Sequence, residues 1–374
     1  MKILLSSPAF LPRVGGLEIG QALLADRLTR LGQEVTVVTQ TPVTDAAGAD
    51  RFAYRVLRRP GPFELLRAVR ACDVFFQANV SLRGLWPLLL VRRPWAVSHH
   101  SWYCRSDGHV AWQDRLKRYL LRFAAVSVSV STAMAADLGT PSLIIPNAYR
   151  DDLFRILPEV ERELDLIFLG RLVSDKGVDL LIAALARLAE RGLRPRLTVV
   201  GDGAELPALE RQAARLGVAA QIDFLGTRRD RELVPLLNRH RILVMPSRYQ
   251  EPFGVAALEG IACGCVVVGS EGGGLPEAIG PCGRTFGNGN VEELTAVLAE
   301  LLCQPQRLTA LRARAPEHLA RHGSEKIARL YLEVLADGSA ARRPARRTAR
   351  RPDLRPTRRP DLRPAPRQGP EEHS

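Results

Sequence analysis

Lysine is scarce in this chain. Only Lys2, Lys117, Lys176 and Lys326 appear among 53 basic residues, and the remainder are arginine. A lysine retained against that background marks a position where a compact ammonium differs in use from a planar guanidinium. Long apolar runs are also missing. The longest, such as GLWPLLLV at 84–91, fall far short of the roughly 20 residues that cross a bilayer. The opening MKILLSSPAF has one lysine and a brief apolar run, without the longer apolar region and small-residue cleavage site of a secretory leader. It reads as a first strand, and the protein is expected to be cytoplasmic. The six cysteines, at 72, 104, 263, 265, 282 and 303, form neither a CxxC pair nor a ligand-spaced set with histidine. Reduced, partly buried thiols are expected, with no bound metal. The GxGxxG fingerprint is absent too, and no well-placed acid closes the second strand, which disfavours a nicotinamide cofactor.

The net charge of +13 suggests nucleic acid until it is located. From 338 to 374 there are eleven arginines against four acids, a net +7. This Arg/Pro-rich tail repeats RRPDLRP at 350–356 and 358–364 and has almost no large apolar residues. It cannot offset its ordering entropy by burial and is expected to be disordered. The other 337 residues share +6, which suits a protein that handles phosphates or touches an anionic membrane. Nucleic acid is therefore a disfavoured partner.

A hydrophobic fraction of 46% over 374 residues fits two ordinary domains. Strand-like runs alternate with helix-like runs: 2–7, 34–39, 73–77, 94–98, 125–130 and 142–146, then 164–170, 196–201, 221–226, 242–246, 265–269 and 283–286. Such alternation predicts parallel sheets covered by helices. A polar, proline-bearing stretch near 146–164 predicts the break. The expected organisation is an α/β protein of two doubly wound domains, 1–148 and 164–337, joined by a linker at 149–163. The last helix, 323–336, is expected to pack back on the first domain. Ligands of such sheets bind at the carboxyl ends of the strands, so the cleft between the domains is the default site.

Four loops after strands have the makings of one phosphate-bearing site. In PRVGGLEIG (12–20), Gly15 and Gly16 open a helix, where backbone N–H groups and the helix dipole favour an anion. Tight strand-to-helix packing explains two glycines equally well. In GRLVSDKG (170–177), Arg171 and Lys176 stand five residues apart between strand and helix. PSRYQEPFGVAALEGIACG (246–264) carries Ser247, Glu251, Phe253, Gly254 and Glu259. Two carboxylates suggest hydrolysis, which needs them roughly 5–9.5 Å apart. Eight residues of full helix span about 12 Å, so the spacing better suits two ends of an extended ligand. SEGGGLPEAIG (270–280) adds three glycines and Glu277 at another helix start.

Together these motifs closely resemble the retaining, GT-B-fold enzymes of glycosyltransferase family 4. The resemblance rests on FLGRLVSDKG, LTVVGDGAE, IDFLGTRRDREL, LVMPSRYQEPFGVAALEGIACG and GGGLPEAIG, over about residues 164–300. The first half matches more loosely, through 2–39 and IPNAYRDDLF. It implies the GT-B architecture, two Rossmann-like domains facing a cleft. It also implies that Arg171 and Lys176 hold the donor diphosphate and stabilise the leaving oxygen, generally without a metal or other cofactor. Glu259 would bind the donor ribose. Glu251, with backbone N–H groups near Phe253 and Gly254, would bind the transferred hexose, and Gly15 and Gly16 would line the cleft from the other side. In HHSWY (99–103), His99 or His100 would lie near the sugar; His100 is further out from the strand, and a packed loop histidine is the equal alternative. The chain departs from the family in a short stretch between 40 and 72 and in PNAYR where PNGVD is usual.

The implied function is hexosyl transfer, with retention, from a nucleotide-diphosphate sugar to a glycan or lipid-linked acceptor, in cell-surface polysaccharide or glycolipid synthesis. RLKRYLLRF (115–123) offers a basic, partly apolar helix for peripheral membrane contact, although a domain helix with surface arginines is the plainer reading. Two rivals are a sugar-nucleotide epimerase using the same cleft and a nucleic-acid-binding protein acting through its basic tail.

Overall fold

A computed structural model describes residues 1–13, 15–42, 52–104 and 110–340. The tail from 341 lies outside the described residues, as do the disorder and nucleic-acid readings placed on it.

Two parallel sheets organise the chain. The first contains β1 (Lys2–Ser6), β2 (Glu34–Thr39), β3 (Arg55–Arg58), β4 (Val74–Ala78), β5 (Trp95–His99), β6 (Val126–Ser129) and β7 (Leu143–Ile144), in the order β3-β2-β1-β4-β5-β6-β7. Its covering helices are α1 (Gly16–Arg30), α2 (Pro62–Ala71), α3 (Leu82–Leu85), α4 (Trp112–Leu120) and α5 (Thr132–Leu138). The second contains β8 (Leu164–Leu169), β9 (Leu197–Val200), β10 (Ile222–Gly226), β11 (His240–Met245), β12 (Val266–Ser270) and β13 (Gly283–Phe286), in the order β10-β9-β8-β11-β12-β13. It is followed and covered by α6 (Val178–Glu190), α7 (Leu206–Arg215), α8 (Leu233–Arg239), α9 (Val255–Ala262), α10 (Leu275–Ile279), α11 (Val291–Cys303), α12 (Pro305–Arg312) and α13 (Ala315–Ala320). The final helix, α14 (Ser324–Ala340), returns to the first sheet. There Ile327, Ala328, Tyr331 and Leu335 join the core of β1 and α1, and the Tyr331 ring lies 5.6 Å from that of Phe76.

The central strands of both sheets are buried on both faces. Strand order reverses beside β1 and beside β8, the switch points at which doubly wound sheets open a crevice. The stretch 149–163 has no helix or strand. It is nonetheless anchored: Tyr149 and Phe154 are buried, and the Asn238 side chain accepts from Leu157 N–H and donates to the Arg155 carbonyl.

Some elements differ from the sequence reading. Strand β3 and the helical segment 82–89 are additional. β3 is an edge strand reading RVLR, with Arg55 exposed, so it lacks the apolar run that betrays a central strand. Helix α14 continues through 338–340, where a tail was expected; a Cβ on Gly338 would lie 2.4 Å from Val126 Cγ2, so the helix packs closely there. Helix α9 begins at Val255, not near Pro252.

Candidate active site

The loops leaving β8 and β11 are fastened together, and a glycine permits it. Gly177 has φ 67°, and a Cβ there would sit 2.0 Å from the Pro246 carbonyl oxygen at the end of β11. Only glycine allows this approach. Arg248 and Tyr249 donate their N–H groups to the Asp175 carbonyl at 2.8 and 3.2 Å. The Arg248 guanidinium grips Asp179 through two bonds of 2.6 Å. Lys176, held in the short turn Ser174–Lys176, is thereby brought against the loop that carries Glu251.

Lys176 Nζ pairs with Glu251 Oε1, and the same oxygen accepts from Ser247 Oγ at 2.8 Å. Glu251 and Ser247 are both buried. The Glu251 backbone is fixed from the other side by the glycine loop. It forms a parallel bridge with Gly273, and its carbonyl accepts from Gly274 N–H at 2.7 Å. A Cβ on Gly273, at φ 65°, would lie 2.2 Å from that carbonyl oxygen. These close approaches explain why the loop is glycine-rich. Arg171, at the end of β8, is exposed, and no hydrogen bond or ion pair engages its side chain among the described residues. The structure thus brings Arg171, Lys176 and Glu251 to one end of adjacent strands.

The Phe253 ring is buried, 5.6 Å from the His322 ring, so only backbone near 253–254 is available for a ligand. Gly254, at φ 113°, precedes α9. Glu259 is the fifth residue of α9, little more than one turn in, so the comparison with eight residues of continuous helix does not apply. Its carboxyl is enclosed by protein on most sides while keeping an opening to solvent. Burial raises its pKa to about 7; Arg150 opposes the rise and Asp230 adds to it. Arg150 was not singled out from sequence. It pairs with Asp230 at 2.6 Å beside Glu259, and its signal was the departure to PNAYR.

From the first domain, Gly15 precedes α1 in extended conformation. A Cβ there would lie 2.5 Å from Glu18 Oε2, and Glu18 is itself buried, with Arg13 3.7 Å away. A carboxylate folded against Gly15 is a poor neighbour for a phosphate and a good one for hydroxyl groups. Gly16 has open space around it.

The two histidines are both engaged. His99 is fully buried, its ring nitrogens 2.7 Å from Tyr103 OH and 3.0 Å from Ser127 Oγ. His100 Nε2 lies 2.9 Å from Ser98 Oγ and 3.1 Å from Gln21 Nε2. Burial pulls the pKa of His99 down to about 3 and that of His100 to about 4. His100 is thus held neutral, and it lines a small cavity with Gln21, Asn147 and Tyr331.

Among the described residues, side chains of Trp102, Ser131 and Thr132 reach across the cleft, and sequence reasoning assigned none of these contacts. Trp102 Nε1 donates to the Gln250 carbonyl at 2.6 Å, and Ser131 Oγ donates to the Pro252 carbonyl at 2.8 Å. These acceptors flank Glu251 on either side. Thr132, at the start of α5, donates its N–H and its hydroxyl to Glu277 Oε1, the former at 2.8 Å. Among the described residues, no group of three or more His, Cys, Asp or Glu could hold a metal ion.

The segment bearing most of these groups has known relatives. Residues 150–318 match the family of glycosyl transferases group 1. The chain is 34% identical over 181 residues to a D-inositol 3-phosphate glycosyltransferase of Rhodococcus jostii, which covers 46% of this chain and 40% of that relative. It is 39% identical over 143 residues to a glycogen synthase of Mycobacterium tuberculosis, 38% of this chain and 34% of the relative. The matches thus span less than half the length of these curated relatives. Among solved structures, Anabaena HepE in complex with UDP and glucose superposes with a TM-score of 0.75 at 22% identity, covering 90% of this chain and all of that one. Sucrose-phosphate synthase of Thermosynechococcus elongatus gives 0.75 at 21%, covering 91% and 99%. At such identity the likeness is one of fold: the chain has the GT-B architecture of two Rossmann-like domains.

Proposed function

We propose that the protein is a retaining glycosyltransferase, moving a hexose from a nucleotide-diphosphate sugar to a glycan or lipid-linked acceptor. The observation that carries this is that Arg171, Lys176 and Glu251 stand in the loops leaving β8 and β11, with Glu259 in the helix that follows, all in the segment that matches the family. Arg171 and Lys176 would receive the diphosphate as charge-assisted donors. As the bond from the sugar to the diphosphate breaks, charge grows on the leaving oxygen, and the two cations stabilise it. The acceptor oxygen forms the new bond to the sugar carbon as the bond to the diphosphate breaks, and its proton passes to the departing diphosphate. Glu251 would orient hexose hydroxyls, and Glu259 would accept from the ribose. Leaving-group stabilisation by side chains needs no metal.

The acceptor class and a role in polysaccharide or glycolipid synthesis draw support from relatives. One is a GDP-mannose-dependent phosphatidylinositol monomannoside mannosyltransferase of Mycolicibacterium smegmatis, 34% identical over 154 residues. No described helix is long and apolar enough to cross a membrane, and the proposed location is cytoplasmic.

A panel of UDP-, GDP- and ADP-sugars tests the proposal through the melting temperature. Ligand at about 100 times its Kd stabilises by ~2.7 kcal/mol. One donor series should shift the transition, and Lys176→Ala should remove most of the shift. Full turnover in both Lys176→Ala and Glu251→Ala would sink the reading, and sugar conversion without any acceptor would redirect it to epimerisation.

A further inference from the structure

Two enclosed polar groups at the Glu259 end of the site have no partner. Among the described residues, no hydrogen bond or ion pair engages the Glu259 carboxyl. Arg150 donates from Nη1 to Asp230 Oδ1 at 2.6 Å, yet its Nε is enclosed and bonds to nothing. An acceptor and a donor left open inside a protein are costly, and each calls for a reason.

The chain builds this end from three segments. Arg150 sits in a tight turn whose carbonyl accepts from Leu153 and Phe154 N–H at 3.0 and 2.9 Å, and its guanidinium lies 5.3 Å over the Phe154 ring. Asp230 opens the short turn Asp230–Glu232 that leads into α8, at φ 50°, a conformation uncommon for any residue but glycine. Glu259 follows Leu258 in α9, and Phe154, Leu233 of α8 and Leu258 share one core. The electrostatics agree with this convergence: Arg150 and Asp230 are the two charges that act on the Glu259 carboxyl, with opposite signs. Even so, no ion pair joins Arg150 to Glu259; the guanidinium turns to the exposed Asp230. A third group can therefore stand between them.

We propose that Arg150 is a second ribose-binding residue, donating to the oxygen of a ribose hydroxyl whose proton goes to Glu259. This rests on the nucleotide-sugar reading above. A hydroxyl both donates and accepts, so one group completes both open partners. A phosphate there would meet the carboxylates of Glu259 and Asp230, and an ammonium would meet Arg150. Asp230 holds the guanidinium by one nitrogen and leaves the rest of its fork for the ligand. The aspartate usual at this position, the last of PNGVD, would set a third negative charge beside Asp230 and Glu259. The arginine makes the pocket complementary, and a nucleotide lacking the hydroxyl leaves two groups unpaired again.

Calorimetric titration of the full chain with UDP, GDP and ADP, each beside its 2′-deoxy and 3′-deoxy forms, tests the assignment. For the base that binds, loss of the bridged hydroxyl should weaken binding to the parent protein by about tenfold or more. Arg150→Met keeps a stem to pack on Phe154 and removes every donor. Arg150→Gln keeps an amide for Asp230 but is too short to serve the ribose as well, and it is read alone if the methionine loosens the linker. Each variant should bind the ribonucleotide about tenfold more weakly and the deoxynucleotide nearly as the parent does. Discrimination by the hydroxyl thus shrinks. A ribo-to-deoxy ratio that persists, whether the affinities stay or fall together, would overturn the inference and leave Arg150 as a staple of the linker. A parent protein that binds none of these nucleotides would bring down the transferase reading and this inference with it.

Discussion

Lys176 and Glu251 are ion-paired although they belong to loops leaving different strands, β8 and β11. Each was expected to serve a different part of one ligand, the diphosphate and the hexose. Their contact couples the two tasks, because any group that draws the ammonium toward phosphate also frees the carboxylate for hydroxyls.

The first prediction follows from burial. Lys176→Met leaves a buried Glu251 carboxylate whose remaining side-chain partner is Ser247, and should cost ~1–3 kcal/mol; Lys176 is partly exposed, which keeps the cost below that of a fully buried pair. Adding Glu251→Gln removes the orphan charge and should restore most of the loss. Urea unfolding of the four species in a double-mutant cycle measures the coupling. Stability should return in the double variant while transfer does not. A purely structural pair would recover both.

Glu259 gives a pH dependence with a definite sign. Burial raises its pKa to about 7, so it is largely protonated at pH 6 and ionised at pH 8. For this group the folded value lies above the unfolded one, so its ionisation costs stability as pH rises from about 4.5 through 7. Ligand binding runs the other way: ribose hydroxyls donate best to the carboxylate, so nucleotide affinity should climb by up to about tenfold between pH 6 and 8. Glu259→Gln should bind more weakly and show a flat profile. Calorimetric titration at both pH values decides it; a wild-type affinity that falls with pH contradicts the assignment.

Much of the fold was legible because strands buried on both faces spell apolar runs such as VVV at 266–268 and ILVM at 242–245. The edge strand β3 was not, since half-exposed RVLR resembles a loop. The depth of Glu259 was misjudged because Pro252 suggested an early helix start, whereas the chain first spends Glu251 on the bridge to Gly273. The candidate site residues were chosen by type and spacing, but their partners were not legible. Lys176 and Glu251 lie 75 residues apart, and Ser131 meets Pro252 across 121. Nothing local in sequence records such contacts; the first follows from the pairing of β8 with β11 and the second from how the two sheets face each other.

Acid should unfold the protein through its histidines. Burial holds His99 at about 3 and His100 and His322 at about 4, so each remains neutral in the fold while an unfolded imidazole charges near 6.5. Folded values below unfolded ones mean that the stabilisation is fully present above pH 6.5 and drains as pH falls toward 4. Each group contributes a slope of up to about 1.4 kcal/mol per pH unit in that window. Glu259 opposes them, but it is one group against three. Chemical denaturation at pH 7, 5.5 and 4.5 should therefore show a steep net loss. Replacing His322 by Phe, with a ring to pack on Phe253, should make that loss shallower.

The contacts across the cleft should separate sugar positioning from nucleotide binding. Trp102 and Ser131 hold the carbonyls on either side of Glu251, and Thr132 holds Glu277, yet none of them touches Arg171, Lys176 or Glu259. Loss of one such bond should let the Glu251 loop drift while the diphosphate and ribose contacts persist. Ser131→Ala and Glu277→Gln are therefore expected to bind a free nucleoside diphosphate like the parent protein. Turnover of the sugar donor should drop about tenfold or more, the scale expected when a reacting group is displaced by a fraction of an ångström. Ser131 also caps α5 through Met134 N–H, so Ser131→Ala will lose about 1 kcal/mol of stability as well. Glu277→Gln keeps an amide oxygen for Thr132 and is the cleaner probe. Equal losses of nucleotide affinity and turnover in Glu277→Gln would show that the contact merely holds the fold together.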